Sequence, residues 1–156
     1  MSRTTPATLA LDRAGVAYTL ATYDYDPAAD RIGLQAAEAI GAPASEVLKT
    51  LIVKADGKAA CVVLASDREV AMKKLAAALG AKSAEMMKPA DAERVTGYRV
   101  GGVSPFGQKR AVRTVIDADA AALSQAFVNA GRRGLQARLA PADLVRLLGA
   151  VVAAVT

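Results

Sequence analysis

Four glycines, a serine and a proline fall within the thirteen residues Gly97–Lys109, which read GYRVGGVSPFGQK. Such a stretch cannot continue a helix or a regular strand. Gly101-Gly102 permits close approach of the backbone to a ligand, and exposed N–H groups in a loop of this kind can hold an oxyanion or a carbonyl oxygen. Ser104 precedes Pro105 and is biased towards an extended conformation. The same composition would equally serve a long turn between two elements.

Lys49 is the second feature. It lies near the start of the apolar segment Leu48–Lys54, where strand alternation puts it on one face with Leu51 and Val53. A lysine at the mouth of an apolar face either meets an anion or carries its amine out to water. Third comes Tyr23-Asp24-Tyr25-Asp26-Pro27. Its tyrosines suit stacking on, or hydrogen bonding to, a nucleobase or ribose; they also suit rim packing with wet hydroxyls. Nothing in the spacing aims Asp24 and Asp26 at a common bond.

Absences narrow the chemistry. The chain has no histidine and one cysteine, Cys61. Ser-His-Asp and Cys-His catalysis, histidine-ligated metals and thiolate zinc clusters are therefore excluded, and no metal or cofactor is expected. A catalyst here must use Lys, Tyr, carboxylates, hydroxyls, backbone dipoles or the substrate itself. Cys61 sits in the apolar run Ala59–Ala65 and reads as a buried, inert thiol, in keeping with a reducing compartment. The net charge of +5 arises wholly after residue 78: residues 1–78 carry 9 basic and 9 acidic side chains, residues 79–156 carry 11 and 6. Lys109, Arg110 and Arg113 form one basic group, and Arg132, Arg133 and Arg138 another. Such clusters are the footprint of a polyanion partner or a solubilising surface.

The surrounding elements must position these residues. At 156 residues, 53% hydrophobic, the chain is sized for one domain with its own core. No apolar run approaches the ~20 residues of a spanning helix. Ala7–Leu11 is interrupted by Asp12 and Arg13 before a signal-peptide core could form. A cytoplasmic, non-exported protein is expected. Helices are predicted over 5–14, from about Gly33 to Gly41, over 70–79, and from Pro89 to about Val95, with helical turns at Pro43–Val47 and Ala120–Leu123. Pro141 opens a last helix whose buried stripe is read as Leu144, Leu147, Leu148, Val151 and Val155. Strands are predicted at Val16–Tyr23, Leu48–Lys54, Lys58–Ser66, Ser83–Met87, Val112–Ile116, Ala126–Asn129 and Gly134–Leu139, with Asp24–Arg31 a loop. Ala55-Asp56-Gly57 marks a hairpin. Helices and strands intermix without a βαβ rhythm, which favours an α+β domain with a mixed, mostly antiparallel sheet.

Five segments carry a resemblance by their order and spacing: TYDYDPA at Thr22–Ala28, VLKTLIV at Val47–Val53, KKLAAALGAK at Lys73–Lys82, TGYRVGGVSPFGQK at Thr96–Lys109, and GRRGL at Gly131–Leu135. Together they resemble the YbaK/EbsC family of aminoacyl-tRNA editing domains over nearly the whole chain. The likeness is greatest to the YbaK branch, the Cys-tRNA(Pro) deacylases. The resemblance implies a barrel-like sheet flanked by helices over residues 1–156, holding the aminoacylated CCA end in a cleft, with prolyl-tRNA synthetase as a candidate partner. The family lysine maps onto Lys49, next to Thr50, and would hold the terminal adenosine or its phosphate. Tyr23 would stand on the cleft wall. The glycine loop, at Gly101, Gly102, Ser104, Pro105 and Gly107, would contact the aminoacyl group, with Gly101 in a catalytic role. Asn129, Gly131 and Gln136 complete the implied binding set. Two of these depart from the family pattern: Asn129 replaces Ser, and Gln136 replaces Asp and loses a charge.

An aminoacyl ester is already activated, so its cleavage needs orientation and carbonyl polarisation more than a strong protein nucleophile. The resemblance implies that the substrate's own cysteine thiol attacks. A water-dependent deacylase for alanine or serine, and a non-catalytic tRNA- or synthetase-binding module, are the competing readings.

Overall fold

The computed structural model describes residues 3–28 and 32–156. Pro6–Arg13 (α1) begins at a reciprocal cap: Thr5 Oγ1 accepts from Thr8 N at 3.1 Å and Thr8 Oγ1 accepts from Thr5 N at 2.9 Å. Then come Thr19–Thr22 (β1), Ile32–Ile40 (α2) and a 3-10 turn at Ala44–Glu46. Leu48–Ala55 (β2) and Lys58–Ala65 (β3) form a hairpin through Asp56-Gly57, at φ 50° and 81°. Two successive left-handed residues make the turn whose twist matches antiparallel strands. Asp56 carboxylate oxygens also accept from Lys82 N and Ser83 N, tying the turn to the entry of the next strand.

The remaining elements are Met72–Ala78 (α3), Ala84–Met86 (β4), Pro89–Thr96 (α4), Arg113–Asp117 (β5), Ala118–Ala121 (α5), Ala126–Arg132 (β6), Leu135–Leu139 (β7), Pro141–Leu148 (α6) and Val151–Ala153 (β8). The fold is α+β, as expected, and antiparallel pairs outnumber parallel ones. Its sheet is divided and unclosed: three strands in the order β1-β7-β6, and five in the order β4-β2-β3-β5-β8. A parallel bridge between Val47 and Phe127 joins the two where β2 passes β6.

Strand β3 is central and buried on both faces over Ala60–Ala65. One face of its sheet, with Ile52, Cys61, Val63 and Ile116, packs with α1, α6 and the first sheet around Leu11, Phe106, Leu135 and Leu144. The other, with Val53, Val62, Leu64 and Val115, is covered by Leu75 and Leu79.

The last helix is shorter than its apolar stripe suggests. Gly149 adopts φ 59° and ends it, and the chain turns back so that Val151–Ala153 lies parallel to β5. Val155 is a core residue of the second cluster and the partly buried Val151 packs against it, contributed by a strand and its exit, not by a helix face. Strand β1 is confined to Thr19–Thr22, and β6 runs on to Arg132 through an irregularity between Asn129 and Arg132. The loop predicted at Asp24–Arg31 extends beyond Ala28 outside the described residues.

Candidate active site

Residues Gly97–Lys109 form no helix or strand, yet their ends are held together. Lys109 N donates to Thr96 O at 2.8 Å and Arg110 N to Val95 O at 3.1 Å. Inside, the Tyr98 hydroxyl donates to the Phe106 carbonyl, and the loop thus has a core of its own. Burial raises the Tyr98 hydroxyl to about 12, so it remains a neutral donor.

This loop forms one wall of a cleft of about 380 Å³, within the range of small-ligand sites. Strand β2 forms the facing wall. Of the residues singled out from sequence, Lys49, Thr50, Gly101, Asn129 and Gln136 all line it. Lys49 lies on the β2 face shared with Leu51 and Val53, and Thr50 on the opposite one with Leu48 and Ile52. Lys49 is the only cation lining the cleft among the described residues, with its side chain 20% exposed. Its Nζ lies 3.9 Å from Glu69 Oε1, an 84% exposed carboxylate. At that distance and exposure the pair holds Lys49 weakly and leaves it able to bind another anion.

Asn129 and Gln136 are cross-strand partners of β6 and β7. Asn129 Oδ1 accepts from Gly131 N at 2.7 Å, and its Nδ2 donates to Gly101 O at 3.2 Å. One side chain therefore shapes the irregular end of β6 and anchors the loop. The Gly101 N–H, by contrast, has no hydrogen-bond acceptor among the described residues. Gly101 adopts φ 90°, and a Cβ there would lie 2.6 Å from Tyr25 Oη; glycine is required for both reasons.

Three buried side-chain oxygens here have no partner among the described residues: Thr50 Oγ1, Tyr23 Oη and Gln136 Oε1. Burial is the main cause raising the Tyr23 hydroxyl above its ordinary 10.0, offset in part by the Gln136 side chain, then the Gly134 backbone. Tyr23 and Gln136 are thus neighbours, although they do not meet hydrogen-bond geometry.

The other candidates from the sequence lie outside the lining of this cleft. Tyr23 does not line this cleft; it stands behind Gln136 and faces a second cavity. Of the glycine loop, Gly101 meets the cleft, with Val100 and Val103 beside it, whereas Gly102, Ser104, Pro105 and Gly107 do not. Gly102 packs against the backbone of Arg132 and Arg133, and Gly107 against Pro6 at the start of α1. Ser104 is fully buried; its Oγ accepts from Phe106 N at 3.2 Å, which fixes the loop's turn. Gly131 packs against Tyr98. These packing contacts help to build the loop and the turn beside it.

Sequence reasoning missed Glu69, Ser66, Gly33 and the Met86–Met87 pair, which also line the cleft. No spacing or motif marks them. Gly33 comes from α2, Ser66 and Glu69 from the chain just after β3, and Met86 from β4 through its pairing with β2. Ser66 Oγ donates to Val47 O, and Gly33 packs directly on Ser66. Cys61 is fully buried and its thiol is pushed up to about 12 by burial, outside any reactive range. Among the described residues no group of His, Cys, Asp and Glu could hold a metal ion, and no helix is long and apolar enough to cross a membrane.

Residues 26–147, which carry both walls of the cleft, match the family model of the aminoacyl-tRNA editing domain. The chain belongs to that family. The editing-domain assignment agrees with its relatives. The chain is 34% identical over 136 residues to a candidate Cys-tRNA(Pro)/Cys-tRNA(Cys) deacylase, EbsC of Enterococcus faecalis, covering 86% of this chain and 83% of that one. It is 36% identical over 69 residues to a proline–tRNA ligase of Acidithiobacillus ferrooxidans, 44% of this chain but 12% of the ligase. The fold matches the crystal structure of the hypothetical protein APE2540 with a TM-score of 0.87 at 25% identity, over 97% of this chain and 99% of that one.

Proposed function

We propose that this editing domain is a trans-acting deacylase that clears mischarged Cys-tRNA(Pro), with the substrate thiol attacking its own ester carbonyl. The observation that carries this reading is the pairing, across one cleft, of Lys49, the one cation lining it among the described residues, with the Gly101 N–H, which has no acceptor among them. Lys49 supplies charge for the terminal adenosine phosphate, and Gly101 supplies a donor for the oxygen that becomes negative. No histidine or reactive cysteine is present to act as nucleophile.

In the step proposed, the thiol sulfur bonds to the carbonyl carbon and charge gathers on the carbonyl oxygen. Collapse breaks the carbon–oxygen bond to the terminal ribose, whose oxygen takes the proton released by the thiol. The products are a cyclic thioester and free tRNA. Holding the thiol against the ester makes the attack intramolecular, for which effective molarities reach about 10⁵–10⁸ M. The protein's part is to clamp the CCA end and polarise the carbonyl.

The similarity to EbsC supports cysteine as the amino acid, and the similarity to a proline–tRNA ligase supports tRNA(Pro) and a partnership with prolyl-tRNA synthetase. On this reading residues 1–156 act as one editing unit in the cytoplasm, and the basic second half lies along the acceptor stem.

The test is deacylation of labelled Cys-tRNA(Pro) beside Ser- and Ala-tRNA(Pro), for wild type and Lys49→Ala. Cysteine-selective turnover that is lost in the variant supports the proposal. Equal turnover of the thiol-free substrates replaces it with water-dependent hydrolysis. No turnover, even with prolyl-tRNA synthetase present, leaves a tRNA-binding module.

A further inference from the structure

A second cavity, of about 710 Å³, lies behind the first. The wall between them is thin. Gly101 faces the cleft while Tyr25, against which a Gly101 Cβ would press, faces the cavity. Gln136 and Tyr23 repeat this relation one strand away.

The two spaces differ in chemistry. Apart from Lys49 and Glu69 the cleft presents mainly small and aliphatic side chains, with Met86 and Met87 at one side. Among the described residues the cavity is lined by Arg3, Arg132 and Arg133, by Tyr23 and Tyr25, and by the carboxylate of Asp24. Among the described lining residues arginines outnumber carboxylates, and that excess attracts an anion.

Arg133 is already in place to receive one. Its Nε donates to Val100 O at 2.8 Å, and its guanidinium lies 4.9 Å from the centre of the Tyr25 ring. It makes no ion pair among the described residues, so both terminal nitrogens remain available for a phosphate. Val100 itself lines the cleft, so the same bond joins Arg133 to the wall of the ester site. A guanidinium fixed over an aromatic ring is a platform for a nucleobase and its phosphate together.

We propose that the second cavity is a subsite for the single-stranded RNA just 5′ of the nucleotide held in the Lys49 cleft, with Arg133 binding its phosphodiester and Tyr25 its base. The inference rests on the deacylase reading. It assigns the paired arginines of the β6–β7 turn and the second tyrosine of the Tyr23–Pro27 segment, which ester cleavage itself does not use. The chain end would cross the wall at Gly101, the one loop position lining the cleft where a side chain would collide with Tyr25.

The test measures binding of the trinucleotide CCA and of AMP across a salt series, and KM and kcat on Cys-tRNA(Pro), for wild type and Arg133→Gln. The expected result is about tenfold weaker CCA binding, a much smaller change in AMP binding, and a KM raised by a larger factor than any fall in kcat. The slope of log affinity against log salt should fall by about 0.7 for the lost phosphate contact. Arg133→Lys should keep the slope but not the full affinity, because it retains the charge and loses the fork. Should Arg133→Gln fail to fold, Arg3→Gln, an exposed side chain on the same cavity, must lower the salt slope. Equal weakening of CCA and AMP, or an unchanged slope, overturns the subsite. Wild-type protein without turnover overturns the deacylase reading and the subsite with it; turnover with an unchanged KM in Arg133→Gln overturns the subsite alone.

Discussion

Asn129 and Gln136 stand directly opposite each other in the β6–β7 ladder, and both line the cleft that contains Lys49. Seven residues apart in sequence, the two polar side chains occupy one place in space. Asn129 uses both ends of its amide, on Gly131 N and on Gly101 O, whereas the Gln136 Oε1 is buried without a partner. One member of the pair builds the loop and the other is free to meet a ligand.

Asn129→Ala removes both anchors. We expect a stability loss of about 1–3 kcal/mol, the usual cost of leaving buried polar groups unpaired. A fall of tenfold or more in kcat is expected with it, since Gly101 loses its tether. Urea unfolding and single-turnover deacylation check the two effects. Unaltered kcat would show that Gly101 is positioned without Asn129.

Gln136→Asp places an acid at a site only 4% exposed. Burial raises a carboxyl above its unfolded value of about 3.9. Between the two values the folded state holds the extra proton, so stability is full below the unfolded value and is lost as pH rises through the folded one. The variant should therefore show a lower urea midpoint at pH 8 than at pH 5, relative to wild type. No such difference would mean that a cation, with Lys49 the nearest candidate in the cleft, compensates the new charge.

Lys49→Ala should abolish measurable deacylation, a loss of about 10²-fold or more for an electrostatic group at the reacting end. Glu69→Gln should change stability by less than about 0.5 kcal/mol, because the pair is long and its carboxylate exposed. Thermal unfolding and initial rates separate the two. Destabilisation of several degrees by Glu69→Gln would contradict the loose pairing.

Gly101→Ala meets two obstacles, a φ of 90° and the Tyr25 hydroxyl. The double variant Gly101→Ala/Tyr25→Ala relieves the collision but not the backbone strain. We expect the single variant to lose most activity and the double to recover stability in part. Recovery of full stability would assign the whole cost to the collision.

Cys61 should resist alkylation in the native state, with labelling that tracks global unfolding. Burial is the main cause holding its thiol at about 12, against 9.0 for the ordinary group, with smaller offsets from Gln108 and Thr114. The unfolded thiol ionises first, so this group's contribution is present below about pH 9 and is lost as pH rises through the folded value. Rapid labelling of folded protein at pH 8 would show access that the packing denies.

Local chemistry made much of this molecule legible in its sequence. Asp56-Gly57 dictates a tight hairpin, Pro141 opens α6 and Gly149 closes it, and the glycine-rich loop is irregular because its residues permit nothing else. The lack of histidine restricts the reaction whatever the fold. Lys49 is recognisable as a charge on an apolar strand face. What lies beyond local preference was decided only by tertiary structure. Val151–Ala153 has the spacing to continue a helical stripe, yet it pairs with β5, because once Gly149 ends the helix the exposed strand edge offers its backbone hydrogen bonds. The loop glycines are alike in sequence, but only Gly101 meets the cleft, since Gly102 and Gly107 are consumed in close contacts with the β6–β7 turn and α1. Glu69 carries no motif and faces Lys49 only because the chain reverses after β3. Residue types and spacing set what each segment can do; which of them share a site depends on pairings between segments far apart in the chain.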